Sequence, residues 1–182
     1  MAKTRTQAEY GDFQTPATLA DEVCRVLKTL GVKPSAVVEP NCGVGNLLIA
    51  ALNCFPKASD VVGLEVNTQY VTELRGKLKG HKHAEKVQLR QADFFRTDWD
   101  AILDGLPSPL LVIGNPPWVT SAELGSLGSG NLPAKSNFQN HVGLDALTGK
   151  SNFDISEWML LRELDWLDSR RGTLAMLCKT MV

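Results

Sequence analysis

Four consecutive residues, Asn115-Pro116-Pro117-Trp118, follow the strongest apolar run of the chain, residues 110–114, and their types suit a narrow kind of chemistry. Two prolines supply no backbone N–H and hold the chain extended, which predicts that the carbonyls of Asn115 and Pro116 point into a site as rigid acceptors. The Asn115 side chain adds a further acceptor, and Trp118 a flat apolar face. A planar ring bearing an NH2 group fits this set, because two acceptors can take its two protons while the indole stacks on the ring.

A second group has the spacing to hold a nucleoside. Glu39-Pro40-Asn41-Cys42-Gly43-Val44-Gly45 follows a short apolar run. Its glycines let the backbone approach a ligand closely, and the helix after it offers free N–H groups. Glu65 ends the next apolar run, at the position where a carboxylate can accept both hydroxyls of a ribose. A nicotinamide dehydrogenase would share both features, but its G-x-G-x-x-G fingerprint needs a third small residue where this chain has Leu48. Asp93, in Gln91-Ala92-Asp93-Phe94, falls at the same sheet edge; an isolated acid there is ordinarily solvated and gains weight only from its company.

These residues need a scaffold, and the hydrophobic pattern supplies one. Thr15 and Pro16 read as N-cap and first residue of a helix whose apolar face is Leu19, Val23, Val26 and Leu30. Residues 36–40, 61–66, 87–94, 110–114 and 173–177 read as strands, with helices at 46–55, 68–78 and about Glu157 to Leu167, and a short helix or turn at 97–103. Strands alternating with helices predict a doubly wound, Rossmann-like, mainly parallel α/β sheet. Residues 119–153, rich in Gly, Ser and Asn and carrying Lys135, His141 and Lys150, form a long flexible loop leaving the Asn115 tetrapeptide, expected to be a lid over the site. Trp99, Trp158 and Trp166 read as packing residues, with Trp158, Leu161 and Leu164 on one buried face, and Asp154 with Glu157 reads as a capping box. The basic run Arg75, Lys77, Lys79, Lys82, Lys86 and Arg90 reads as a solvated face.

Composition bounds the function classes. The chain has 182 residues, 43% hydrophobic and 21% charged, enough for one domain with a sizeable core. A net charge of -1 excludes a free-standing basic arm that grips nucleic acid by charge alone. Four scattered cysteines, with no C-x-x-C pair and no His at zinc-finger spacing, argue against a metal site or disulfide framework and for reduced thiols in a cytosol. No stretch reads as a signal peptide or membrane span, so a cytoplasmic protein is expected.

Taken in order, these segments resemble the class I S-adenosylmethionine-dependent methyltransferases, in particular those that methylate adenine N6 in DNA within restriction-modification systems. The resemblance covers nearly the whole chain. It implies S-adenosylmethionine as cofactor and double-stranded DNA as partner, with no metal and no membrane. Phe13-Gln14-Thr15-Pro16 is similar to the family's amino-terminal cofactor segment, so Gln14 and Thr15 would lie at the methionine end. Glu39, Asn41, Cys42, Gly43 and Gly45 would hold the methionine portion, Glu65 the ribose with Val66 beside it, Asp93 the adenine amino group, and Phe94 would pack beside that ring. Asn115, Pro116, Pro117 and Trp118 match the (D/N/S)-P-P-(Y/F/W) catalytic signature. The implied reaction is direct transfer, in which the Asn115 side chain and the Pro116 carbonyl accept the two amine protons, localise the lone pair and stabilise the developing charge.

The resembled family continues its sheet with a sixth and a seventh strand, then a later aromatic segment and a target-recognition domain. None is evident here, so residues 1–182 are expected to be a single catalytic domain that lacks the last two strands, the amino-terminal part of a larger enzyme, with recognition supplied downstream or by a separate chain. The same tetrapeptide also serves methylation of RNA bases or of a protein glutamine. A non-catalytic cofactor-binding module is the alternative of a different class.

Overall fold

The computed structural model describes residues 14–117 and 155–178. Phe13, Trp118, the segment 119–153, Asp154 and residues 179–182 lie outside the described residues, so the expectations that fall on them concern positions the structure does not describe.

Among the described residues, five strands form one all-parallel sheet: β1 (Ala36–Glu39), β2 (Asp60–Glu65), β3 (Val87–Gln91), β4 (Leu110–Gly114) and β5 (Gly172–Met176), in the order β3-β2-β1-β4-β5. The predicted doubly wound architecture is therefore present. Strand residues alternate between two apolar layers, as a pleat with period two requires. Val37, Val61, Leu111 and Ile113 face α1 (Ala17–Thr29), α2 (Asn46–Cys54) and α3 (Thr68–Leu78), whereas Val38, Val62, Leu64, Leu110 and Val112 face α4 (Trp99–Leu103) and α5 (Ile155–Asp168). The order reverses between β1 and β4, and such a switch point opens a crevice at the carboxyl ends of the strands. Cys24, Cys42 and Cys54 are free thiols, and among the described residues no helix is long and apolar enough to cross a membrane.

Several expectations are corrected. Pro16, not Thr15, is the N-cap of α1: its carbonyl accepts from Ala20 N–H at 3.0 Å, and Thr15 stands one residue outside with its hydroxyl engaged elsewhere. The buried stripe of α1 is Ala20, Cys24 and Leu27, while Leu19, Val26 and Leu30 are exposed. Small side chains let α1 approach Ala50 and Ala51 of α2 closely, and that approach selects the stripe. β3 stops at Gln91 because Asp93 turns the chain into a 3-10 turn, Phe94–Arg96, by accepting from Phe95 N–H at 2.9 Å. Two residues of the basic run are structural anchors: Lys77 donates to the Val44 carbonyl (2.9 Å), and Lys86 to those of Pro56 (2.7 Å) and Ala58 (3.1 Å).

Trp99 and Trp166 are buried and stack at 4.5 Å, and the Phe94 ring packs against both and against Trp158. The rest of the α5 expectation fails, since Leu161 and Leu164 are exposed and the buried face is Ile155, Met159, Glu163 and Trp166. Glu163 is wholly buried with no hydrogen-bond partner among the described residues on either carboxyl oxygen, and burial pushes its pKa from 4.5 up to about 8. The folded state thus holds this proton more tightly than the unfolded chain. Stability is full below about pH 4.5 and declines as pH rises to about 8, by up to roughly 1.4 kcal/mol per pH unit. Urea unfolding at pH 5 and pH 8 checks this: Glu163→Met is expected to flatten the decline and raise the midpoint at pH 8, and an equally steep decline in the variant would refute the assignment.

Candidate active site

The cleft at the switch point is built from backbone that leaves β1. Pro40 fixes the exit, Cys42 N–H donates to the Leu64 carbonyl at 2.8 Å, and Gly43 (φ +52°) and Gly45 (φ +80°) take left-handed conformations that L side chains adopt only with strain. Gly45 is the N-cap of α2, and a Cβ there would lie 2.2 Å from Leu74 Cδ1. Gly45→Ala is therefore expected to cost about 2 kcal/mol or more and lower Tm by at least roughly 4 °C, measured by thermal unfolding.

Glu65 closes the loop from the adjacent strand. Its carboxylate accepts from Gly43 N–H on one oxygen and from Asn67 N–H on the other, both at 2.8 Å. The amino-terminal segment packs on the other side: Gln14 Oε1 accepts from Val44 N–H at 3.0 Å, and Asn46 Nδ2 donates to the Thr15 carbonyl at 2.8 Å. At the end of β4, Asn115 is held twice. Asn41 Nδ2 donates to its carbonyl at 2.8 Å, and its own Nδ2 donates to Thr15 Oγ1 at 3.2 Å.

These segments line one open cleft. Of the residues singled out in the sequence, Gln14, Thr15, Glu39, Asn41, Cys42, Gly43, Glu65, Val66, Phe94, Asn115 and Pro117 line it. Gly45 stands behind the loop. Pro116 is buried and does not line the cleft, and the Asn115 carbonyl, expected to face the site, is bound to Asn41 instead. Asp93 is not at the wall: its carboxylate caps the Phe94 turn and lies 3.5 Å from Arg96 Nε. Residues unforeseen in the sequence complete the lining, among them Asn46, Asn67, Tyr70, Ala92, Phe95 and Met159. Asn67 had a signal, being the N-cap of α3 two residues after Glu65. Met159 had none, because only tertiary packing brings α5 to the cleft.

Glu39 is buried, its Oε2 has no hydrogen-bond partner among the described residues, and burial, together with Glu65, raises its carboxyl well above the usual range against a lowering hydrogen bond from Leu48 N–H. The Cys42 thiol is likewise pushed up by burial and then by Glu39 and Glu65, so it is no nucleophile. Two carboxyl groups at one end, apolar Val66, Ala92 and Phe95 along the wall and an asparagine at the rim suit a cationic nucleoside beside a second polar reactant. Among the described residues there is no cluster of metal-ligating side chains.

No protein-family model matches the chain. It is 51% identical over 178 residues to the type II methyltransferase M.NspV of Nostoc sp., a match that takes in 98% of this chain and 37% of that protein. The chain thus spans little more than a third of that relative's length. Among solved structures it is similar to the type I restriction-modification system methyltransferase subunit from Streptococcus thermophilus, with TM-score 0.60 and 20% identity, over 92% of this chain and 34% of that one. An RNA methyltransferase from Salinibacter ruber in complex with S-adenosyl-L-homocysteine aligns at TM-score 0.43 and 22% identity over 57% of this chain and 60% of that one. By fold the chain thus shares the doubly wound, Rossmann-like sheet of the Streptococcus thermophilus methyltransferase subunit, and by sequence it is similar to a type II methyltransferase over 98% of its own length.

Proposed function

We propose that the chain transfers a methyl group from S-adenosylmethionine to the exocyclic amino group of adenine in double-stranded DNA. The observation that carries the reading is the meeting, in one cleft, of the Glu65–Gly43 nucleoside cradle with Asn115 at the mouth. Glu65 accepts the ribose hydroxyls, Val66 and Phe94 flank the adenine of the cofactor, and Glu39 with the 41–43 backbone and Gln14 holds the methionine end. The orphaned Glu39 oxygen fits an ammonium donor, which supports that assignment. When bound, the cofactor supplies an electrophilic methyl on a sulfonium.

The amine of adenine is a weak nucleophile because its lone pair is delocalised into the ring. The Asn115 side chain accepts one of its protons, localising the lone pair toward the methyl and stabilising positive charge as it develops. Pro117 shapes the wall, and Trp118 stacks on the base. For a target in a duplex the base is flipped out at a cost of a few kcal/mol, of which stacking returns on the order of 1–3 kcal/mol. Residues 1–182 act as one catalytic domain, with DNA sequence recognition supplied by a further domain or chain.

Methyl transfer from labelled S-adenosylmethionine to unmethylated duplex DNA, followed by digestion to nucleosides, tests the reading. N6-methyladenine is expected. Label in RNA or on a protein glutamine amide, with none in DNA, would overturn the substrate class, and cofactor binding without transfer to any of the three, even with the downstream region of the relative supplied, would make the chain a binding module.

A further inference from the structure

We propose that Thr15 and Asn41 are positioning residues that aim Asn115, one fixing its side-chain amide and the other its backbone. The proposal rests on the reading of Asn115 as the acceptor for the target amine. It differs from the sequence expectation, in which Thr15 and Asn41 serve only the cofactor.

An asparagine amide has two ends of nearly equal size and opposite hydrogen-bonding character. A target amine needs the oxygen, so an unrestrained amide would spend much of its time presenting a donor to a donor. Thr15 Oγ1 lies 3.2 Å from Asn115 Nδ2 and holds the nitrogen end, which turns Oδ1 to the other side. Thr15 is itself buried and pinned, since its carbonyl accepts from Asn46 and the preceding Gln14 is bound to Val44.

The backbone of the tetrapeptide has the complementary weakness. Pro116 and Pro117 have no N–H, so the segment cannot tie itself down as a donor after β4 ends. β1 and β4 pair from Ala36 with Leu110 to Val38 with Val112 and then separate. Asn41 and Asn115 lie at equal distances past that last pair, and the 2.8 Å bond from Asn41 Nδ2 to the Asn115 carbonyl continues the same register across the crevice. Gly114 makes the approach possible, because a Cβ there would lie 3.2 Å from Asn41 Oδ1. The cofactor loop, the amino-terminal segment and the catalytic tetrapeptide thus close into one hydrogen-bonded ring around the cleft.

Thr15→Val keeps shape and removes the hydroxyl, and Thr15→Ser restores it. In the full-length protein, Thr15→Val is expected to lower the single-turnover methylation rate roughly tenfold while cofactor Kd stays within about threefold, with Thr15→Ser returning the rate; Asn41→Ala is expected to lower it similarly. A loss of cofactor affinity as large as the loss of rate would assign both residues to the cofactor alone and overturn the proposal. A second readout needs no substrate: one Asn115 side-chain amide proton should exchange slowly by NMR in wild type and Thr15→Ser, and rapidly in Thr15→Val. Identical exchange in all three would overturn the proposal whatever the enzyme methylates. Slow exchange with no methyladenine formed would instead remove the adenine reading and leave Thr15 as the orienting residue.

Discussion

Asn115→Ala is expected to reduce the single-turnover rate of methyl transfer roughly a hundredfold or more and to change cofactor affinity no more than a few-fold. The magnitude is that of deleting one preorganised polar group aimed at developing charge. The variant should fold, because the backbone carbonyl that Asn41 holds is retained. Rapid-quench measurement of labelled methyl transfer, beside calorimetric titration with S-adenosylmethionine, separates the two quantities. Unchanged turnover would remove Asn115 from the catalytic role.

The second large effect is expected at Glu65. Glu65→Ala removes the acceptor of two backbone N–H groups, those of Gly43 and Asn67, as well as the group assigned to the ribose hydroxyls. Hydrogen bonds to a charged group are worth about 1.5–3 kcal/mol each, so cofactor Kd should rise roughly a hundredfold or more. Glu65→Gln retains one oxygen acceptor and should lose roughly tenfold. Equal affinity in wild type and Glu65→Ala would place the nucleoside elsewhere. The contrast with Asn115→Ala is diagnostic: one variant is impaired in binding the cofactor, the other in using it.

The turn after β1 and the proline pair after β4 were both legible in the sequence because their backbone chemistry is local. Proline removes donors wherever it stands, Gly43 and Gly45 permit positive φ, and an acid two residues before an N-cap asparagine marks the end of a buried strand. Strand positions were legible for the same reason, since runs such as 110–114 are apolar throughout and bracketed by turn residues. Boundaries moved where a side chain competed with the ladder, as Asp93 does by capping the Phe94 turn instead of extending β3.

Helix faces were read wrongly where more than one stripe could be buried. In α1 the larger residues, Leu19, Val26 and Leu30, form a regular apolar row, yet close packing against Ala50 and Ala51 buries the smaller row of Ala20 and Cys24. In α5 apolar residues occur nearly all round, and the buried face contains Glu163, which a hydrophobic pattern would never select. Composition records what can be buried; the shape of the neighbouring element decides what is.

The sequence by itself determined the fold class, the order of the elements and which residues reach the carboxyl ends of the strands, because strand period, turn chemistry and proline geometry act over a few residues. Only the tertiary structure decided how those residues face one another. The Asn41 bond to the Asn115 carbonyl and the Thr15 bond to its amide join positions far apart in the chain, and they exist because parallel pairing of β1 with β4 brings two loop exits level across one crevice.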